Sequence, residues 1–252
     1  AKNKGIEIKF NHAVIRANGY KKVKSADIGE LSEDKTEYKN IKKVECDCIC
    51  VSGFWTPSVH LASQSGNKLK FDNQIDAFVP DKSKQNEFTV GSANGDFTLQ
   101  NTLNKGFKEG KDISKKINNK EIDIQIPNAT EKKHNIHDKF WCAPLPKKIQ
   151  AKRFVDFQND VSVTDIEIAL REGYRSIEHV KRYTTLGMAT DQGRTSNLNG
   201  LQLVSNIENK IVPEVGHTTF RPPFTPVTIG TIVGREIGKH FMPTRLTPMH
   251  EW

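Results

Sequence analysis

The first fifty residues alternate apolar and polar side chains with the two-residue period of extended chain. Residues 5–10 and 12–15 predict strands, and shorter strand-like pieces follow at 20–23 and 26–28. Residues 32–39 form a polar turn. Residues 44–51 predict an apolar strand, and the run Cys46-Asp47-Cys48-Ile49-Cys50-Val51 suits burial inside a parallel sheet. The loop Ser52-Gly53-Phe54-Trp55-Thr56-Pro57 comes next, and Val59-His60-Leu61-Ala62 opens a short helix after the proline. Residues 69–72 and 78–80 predict short strands. Phe88-Thr89-Val90 then leads into Gly91-Ser92-Ala93-Asn94-Gly95-Asp96, with a helix from about 97 to 103. Strand, glycine loop and helix in that order are an α/β pattern.

Residues 105–150 lose this texture. Lys, Asn, Gly and Ile dominate, punctuated by Pro127, Pro144 and Pro146, which predicts a long connection. The pattern tightens again at Arg153. Phe154-Val155-Asp156-Phe157 reads as a short extended piece. Ser162 caps a helix with Asp165 at its third position, a variant of the capping box. Ile166, Ala169 and Leu170 give that helix one apolar face, and Gly173 ends it. Ser176 caps a second helix over 177–183, and Gly187 interrupts the chain. Leu198, Leu201 and Val204 predict a third helix with Asn199 and Gly200 on its outer side. From 213 onward six prolines keep the chain extended or turning, with core-like pieces at 227–233 and at Phe241-Met242. There is no internal repeat.

A chain of 252 residues is one large domain or two small ones. No apolar run reaches the ~18 residues of a membrane span, so no membrane partner is expected. The opening Ala1-Lys2-Asn3-Lys4 has neither a signal-peptide pattern nor an initiating Met, which suggests a chain starting inside a domain. The net charge is +8. The Lys residues are scattered rather than striped with aromatics, so nucleic acid is not an expected partner. Eight of the nine Arg lie between 153 and 245, where planar, bidentate pairing matters most. Of four cysteines, Cys46, Cys48 and Cys50 share one strand face and read as core; no second ligand pair accompanies them. With no disulfide framework, the expected compartment is the cytoplasm.

The chain lacks a dinucleotide GxGxxG, a P-loop, a GxSxG elbow and an HExxH helix. His134 and His137 lie in a Lys-rich polar stretch and read as solvated, so no metal ligands are assigned. One segment is dense in anion-binding groups: Lys181-Arg182-Tyr183-Thr184-Thr185-Leu186-Gly187-Met188-Ala189-Thr190-Asp191-Gln192-Gly193-Arg194-Thr195-Ser196-Asn197. Hydroxyls, guanidinium groups and a following helix N-terminus can cradle a phosphate. A capped helix–loop–helix with solvated arginines accounts for the same spacing.

Several long runs, in order, resemble one family. They are Phe154-Val155-Asp156-Phe157-Gln158-Asn159-Asp160-Val161, Arg171-Glu172-Gly173-Tyr174-Arg175-Ser176 and the stretch from His179 to Gly193. Thr218-Thr219-Phe220-Arg221-Pro222-Pro223-Phe224-Thr225-Pro226-Val227 and Thr247-Pro248-Met249-His250-Glu251-Trp252 agree further on. Val51-Ser52-Gly53-Phe54-Trp55-Thr56-Pro57, His60-Leu61 and Gly91-Ser92-Ala93-Asn94-Gly95 agree earlier. Together they resemble the alpha subunit of heterotetrameric sarcosine oxidases, over nearly the whole chain and least in the Lys-rich stretch.

That resemblance implies an interior piece of an α/β protein. Residues 1–108 would be the C-terminal part of a Rossmann-like FAD/NAD-type nucleotide-binding domain, and 109–150 a linker. Residues 151–210 would form a small helical module, and 211–252 an extended segment leading to a folate-binding domain. The module is also similar to the 2Fe–2S domain of bacterioferritin-associated ferredoxin. The positions matching the cluster cysteines are Asp156, Gln158, Asp191 and Ser196, so no iron–sulfur cluster is expected. By the same resemblance, FMN lies between alpha and beta subunits, with Arg182, Thr184, Thr185, Gln192, Arg194, Thr195 and Ser196 on the alpha side. NAD would face Gly53, Trp55, Asn94, Gly95 and Phe97; FAD would reside in the beta subunit and tetrahydrofolate in the folate domain. Gamma and delta subunits complete the expected assembly, sarcosine is the expected substrate, and no catalytic acid or base is assigned to this chain. A related flavin-dependent amine or imino-acid dehydrogenase subunit, or a non-catalytic docking scaffold, are the alternatives.

Overall fold

The computed structural model describes residues 2–53, 55–119, 125–130, 140–222, 225, 227–238 and 247–250. It opens with an antiparallel meander of β1 (His12–Gly19), β2 (Val23–Leu31) and β3 (Tyr38–Glu45), with β2 central. Gly19 makes the first reversal possible: a Cβ there would lie 2.0 Å from the Lys22 carbonyl oxygen. The middle strand buries Ser25, Ala26 and Asp27. A buried carboxylate is costly unless paired. Here Arg16 Nη2 stands 2.9 Å from Asp27, and Asn18 Nδ2 donates to it at 2.9 Å.

Two expectations fail in this region. Residues 5–10 join no sheet, and β3 ends at Glu45, so the cysteine run is not a buried strand. Cys46 still donates its N–H to the Lys24 carbonyl, but Cys48 and Cys50 are exposed. A parallel strand needs a covering layer on both faces. In this sheet β3 is an edge, and even its apolar Ile41 and Val44 are more than 40% exposed. Every strand pair among the described residues is antiparallel. The mixed α/β class holds; the parallel pairing expected for the cysteine run does not appear in them.

The next elements follow the pattern closely. α1 (His60–Gln64) starts after Pro57, and β4 (Leu69–Asp72) pairs with β5 (Ala77–Pro80) as a hairpin. A single 3-10 turn over Gly91–Asn94 closes on Gly95, whose Cβ position lies 2.8 Å from Ile75 Cδ1. α2 (Leu99–Asn118) is far longer than the helix expected over 97–103 and crosses the boundary placed between 108 and 109. Thr98 caps it, Lys115 and Lys116 complement its C-terminal dipole, and Asn119 ends it in a left-handed conformation. The Lys- and Asn-rich composition of this stretch hid a helix-compatible spacing of Leu99, Leu103 and Phe107. No residue of α2 is buried.

The main core belongs to the C-terminal half. β6 (Phe154–Asp156) and β7 (Val161–Ser162) form a hairpin that feeds α3 (Val163–Arg171), followed by α4 (Ile177–Thr184) and α5 (Asn197–Glu208). The α3 capping box forms as expected: Asp165 accepts from the Ser162 N–H at 2.8 Å and from its hydroxyl at 2.7 Å. Ile166, Ala169 and Leu170 meet Val180, Leu186, Leu201 and Val204 in one cluster. Gly200 faces inward instead of outward, since a Cβ on it would stand 2.5 Å from Leu186. Phe71 and Phe78 of the β4–β5 hairpin pack against this cluster, which ties the two halves of the chain together. Short helices α6 (Val212–Val215) and α7 (Ile229–Val233) follow. The stretch expected to be core at 227–233 is mostly exposed, with no element among the described residues covering it. His134, His137, Phe241 and Met242 lie outside the described residues.

Candidate functional site

The loop from α4 to α5 is built on a buried acid. Asp156, at the end of β6, is 1% exposed. Its carboxylate accepts from the Gly187 N–H at 2.8 Å, the Ser196 hydroxyl at 3.3 Å and the Gln158 N–H at 3.0 Å. One side chain therefore fixes both ends of the loop. Asp191 organises the middle, accepting from the Gly193 N–H at 3.0 Å and the Thr195 hydroxyl at 3.0 Å. Thr190 donates to Gln158 at 3.0 Å.

The backbone of the loop is turned by left-handed residues: Thr185, Gly187, Gln192 and Gly193 all have positive φ. The two glycines are needed for a second reason. The Asn197 carboxamide lies against both, and a Cβ at either would fall 2.1 Å from its Oδ1. The other end of that amide donates to the Thr218 hydroxyl at 3.0 Å.

The expected FMN-side residues thus divide between the last turn of α4, which carries Arg182 and Thr184, and the loop after it, and they face different ways. Arg182 is exposed and pairs with Glu178 at 3.4 Å. Thr185 and Thr195 are exposed, while Thr184, Gln192 and Arg194 are half-buried. The Thr184 hydroxyl donates to the Val180 carbonyl at 2.7 Å. Ser196 is fully buried and its hydroxyl serves Asp156, so it shapes the loop from within. The expected NAD-side residues divide too. Gly53 and Trp55 are exposed, and Trp55 is 82% so. Asn94, Gly95 and Phe97 are half-buried, with Gly95 over the β4–β5 hairpin.

Residues that sequence reasoning missed close the other side of the loop. His60 of α1 is 3% exposed, and its Nε2 lies 3.0 Å from the Gln192 carbonyl, 132 positions away in the chain. Burial pushes its pKa below the usual value, with the nearby Arg194 and Lys181 adding to the effect. The ring stacks on Phe220 at a centroid distance of 4.1 Å. The segment carrying Phe220 is anchored to α4: Lys181 Nζ donates to the Thr219 carbonyl at 2.9 Å, and the Thr219 N–H donates to Glu178. Burial also lowers the Lys181 pKa. A cavity of about 180 Å³ opens where these pieces meet, lined by Pro57, His60, Phe78, Arg194, His217 and Phe220 among others. Only the motif Pro57-x-x-His60 hinted at this arrangement, and its partner lay too far along the chain to be inferred.

The four positions that match cluster cysteines in the ferredoxin-like resemblance do converge, but not as metal ligands. Asp156 and Ser196 bond to each other, Gln158 to Thr190, and Asp191 to Thr195. Oxygen donors saturated by hydrogen bonds do not suit an iron–sulfur cluster, which is held by thiolates.

Comparison with known proteins bears on the whole chain. Residues 150–235 match the family model of the sarcosine oxidase A3 domain. The chain is 34% identical over 257 residues to the sarcosine oxidase subunit alpha of Corynebacterium sp. strain P-1, covering 98% of this chain and 26% of that protein. It is 36% identical over 215 residues to the subunit of the same name from Rhizobium meliloti strain 1021, covering 83% of this chain and 21% of that one. It therefore spans about a quarter of the length of the curated relatives it matches. Among solved structures, L-proline dehydrogenase from P. horikoshii aligns over 85% of this chain and 43% of its own, with 20% identity and a TM-score of 0.49.

Proposed function

The chain belongs to the sarcosine oxidase alpha-subunit family, and from that premise we propose that it serves as the interior part of the alpha subunit of a flavin-dependent oxidoreductase. The reaction is the oxidative demethylation of sarcosine to glycine, with oxygen reduced to peroxide and the one-carbon unit passed to tetrahydrofolate. Support comes from the relatives of that name, which match along most of the chain. The observation that carries the site is the α4–α5 loop, where Thr185 and Thr195 are exposed and Arg194 is half-buried, following Arg182 in the last turn of α4.

The residues present suit a phosphomonoester such as that of FMN. Two guanidinium groups, Arg182 and Arg194, can pair with phosphate oxygens; the Thr185 and Thr195 hydroxyls, which donate to the Thr184 carbonyl and to Asp191, would have to turn to reach one. The Gln192 carboxamide adds a donor and an acceptor for a polyol chain. Accepting from Gly193 and Thr195 does not neutralise the Asp191 carboxylate, so the guanidinium groups must outweigh its repulsion of an anion. FMN, when bound, supplies the electron acceptor between a beta-subunit FAD and oxygen; this chain supplies placement and electrostatics. On the same reading, NAD binds in the complete nucleotide domain near Gly53, Trp55, Asn94, Gly95 and Phe97. Beta, gamma and delta subunits are the partners, and the enzyme is cytoplasmic. Among the described residues no helix is long and apolar enough to cross a membrane.

Replacing Arg182 and Arg194 by Ala tests the assignment through FMN content of the assembled enzyme. Loss of a charge-assisted phosphate contact is worth about 1.5–3 kcal/mol, or about ten- to a hundredfold in affinity. Full FMN occupancy in the double variant, at the wild-type dissociation constant, would remove the loop from the site.

A further inference from the structure

We propose that His60 is the positioning residue of the α4–α5 loop: its imidazole grips the Gln192 carbonyl and fixes the left-handed turn from which Arg194 and Thr195 project. What the loop binds rests on the FMN reading above; the grip itself rests on geometry.

Gln192 and Gly193 are consecutive left-handed residues, with φ of 50° and 75°. That conformation is unfavourable for a residue with a side chain and persists only where the surroundings impose it. The peptide between them sets ψ of Gln192 and φ of Gly193, so the orientation of its carbonyl decides the direction of the two residues that follow. Two groups from different elements hold its carbonyl. Asn197 Nδ2 of α5 reaches it at 3.4 Å, and His60 Nε2 of α1 at 3.0 Å. The imidazole bond is the shorter.

The imidazole is itself held. It is almost wholly buried, and Phe220 lies against its face. Phe220 is in turn kept in place by the bonds of Lys181 and Glu178 to Thr219. Burial favours the neutral ring. A neutral imidazole has one N–H, and a carbonyl acceptor requires that it be on Nε2. The result is a donor of fixed direction aimed at one carbonyl oxygen. α1 belongs to the N-terminal half of the chain and the loop to the C-terminal half, so the grip couples the shape of the loop to the docking of the two halves.

The test compares three variants of the full chain. Glutamine places its amide nitrogen near the Nε2 position, asparagine is too short to reach it, and alanine removes the donor. Amide hydrogen exchange of residues 187–197 reads the loop without any ligand, and flavin fluorescence quenching reads FMN affinity in the assembled enzyme. The expected result is exchange about tenfold faster and FMN binding about tenfold weaker for His60→Ala and His60→Asn, with both largely restored by His60→Gln. Melting temperature is measured alongside, and is expected to fall in all three. Exchange rates that are unchanged in His60→Asn, or raised equally in His60→Gln and His60→Asn, overturn the proposal. Absence of FMN from the wild-type assembly would remove the FMN reading and leave the exchange comparison on the chain to decide on the grip.

Discussion

Gly200 is the residue whose role was hardest to read. Apolar positions at 198, 201 and 204 define a helical face, and a glycine beside them gives no sign of where it points. The structure turns it onto Leu186, which is fully buried and has no room to retreat. Gly200→Ala should therefore overpack the core despite the better helix propensity of alanine, costing about 1–3 kcal/mol in urea unfolding. Equal or higher stability would mean that Leu186 can repack. Asp156 was equally opaque. It was noticed as a position without a thiolate, whereas its three hydrogen bonds make it the centre of the loop. Both cases depend on contacts that no local pattern encodes: Leu186 lies 14 positions from Gly200, and Gly187 and Ser196 lie 31 and 40 positions from Asp156. Arg182, Arg194 and their neighbouring hydroxyls were legible because donor chemistry is written in the residue types themselves.

Elements governed by local rules were the legible ones. The start of α3 follows from Ser162 and Asp165 because capping involves only residues within one turn. Removing that interaction with Asp165→Ala should destabilise the chain by about 1 kcal/mol, seen as a lower urea midpoint at unchanged slope. No change would assign the helix start to packing of Val163 and Ile166 alone. The strands β4 and β5 are legible for a similar reason, as short apolar runs, whereas their pairing as a hairpin comes from the structure alone. Elements that need a neighbour were not recovered. The cysteine run has the composition of a buried strand, yet β3 is a sheet edge, and Cys48 and Cys50 after it are exposed. α2 went unrecognised for the opposite reason: its composition is that of a connection, and its helix is held by capping and propensity with no buried residue.

At the scale of the molecule, most buried apolar side chains lie between Val155 and Val212, with the aromatic hairpin docked against them. The junction between the halves runs through His60, which makes stability dependent on pH. Its pKa in the folded chain is depressed, chiefly by burial. Above about pH 6.5 the ring is neutral both folded and unfolded, and the full stability is present. As pH falls below that value the unfolded chain takes up the proton first, so stability is lost as the folded pKa is approached. Thermal melts at about pH 7.5 and pH 5.5 should show a larger drop in Tm for the wild type than for His60→Gln. Identical drops would place the acid sensitivity in other groups.

The contact of Asn197 with Gly187 and Gly193 has a consequence for how this sequence can diverge. Either glycine can gain a side chain only if the carboxamide leaves, and a smaller residue at 197 gives up the hydrogen bond to Thr218. Each single step passes through a clash or an unpaired buried hydroxyl. The three positions therefore form one inherited unit, free to vary only by a concerted exchange, whatever happens to the cations on the outer side of the loop.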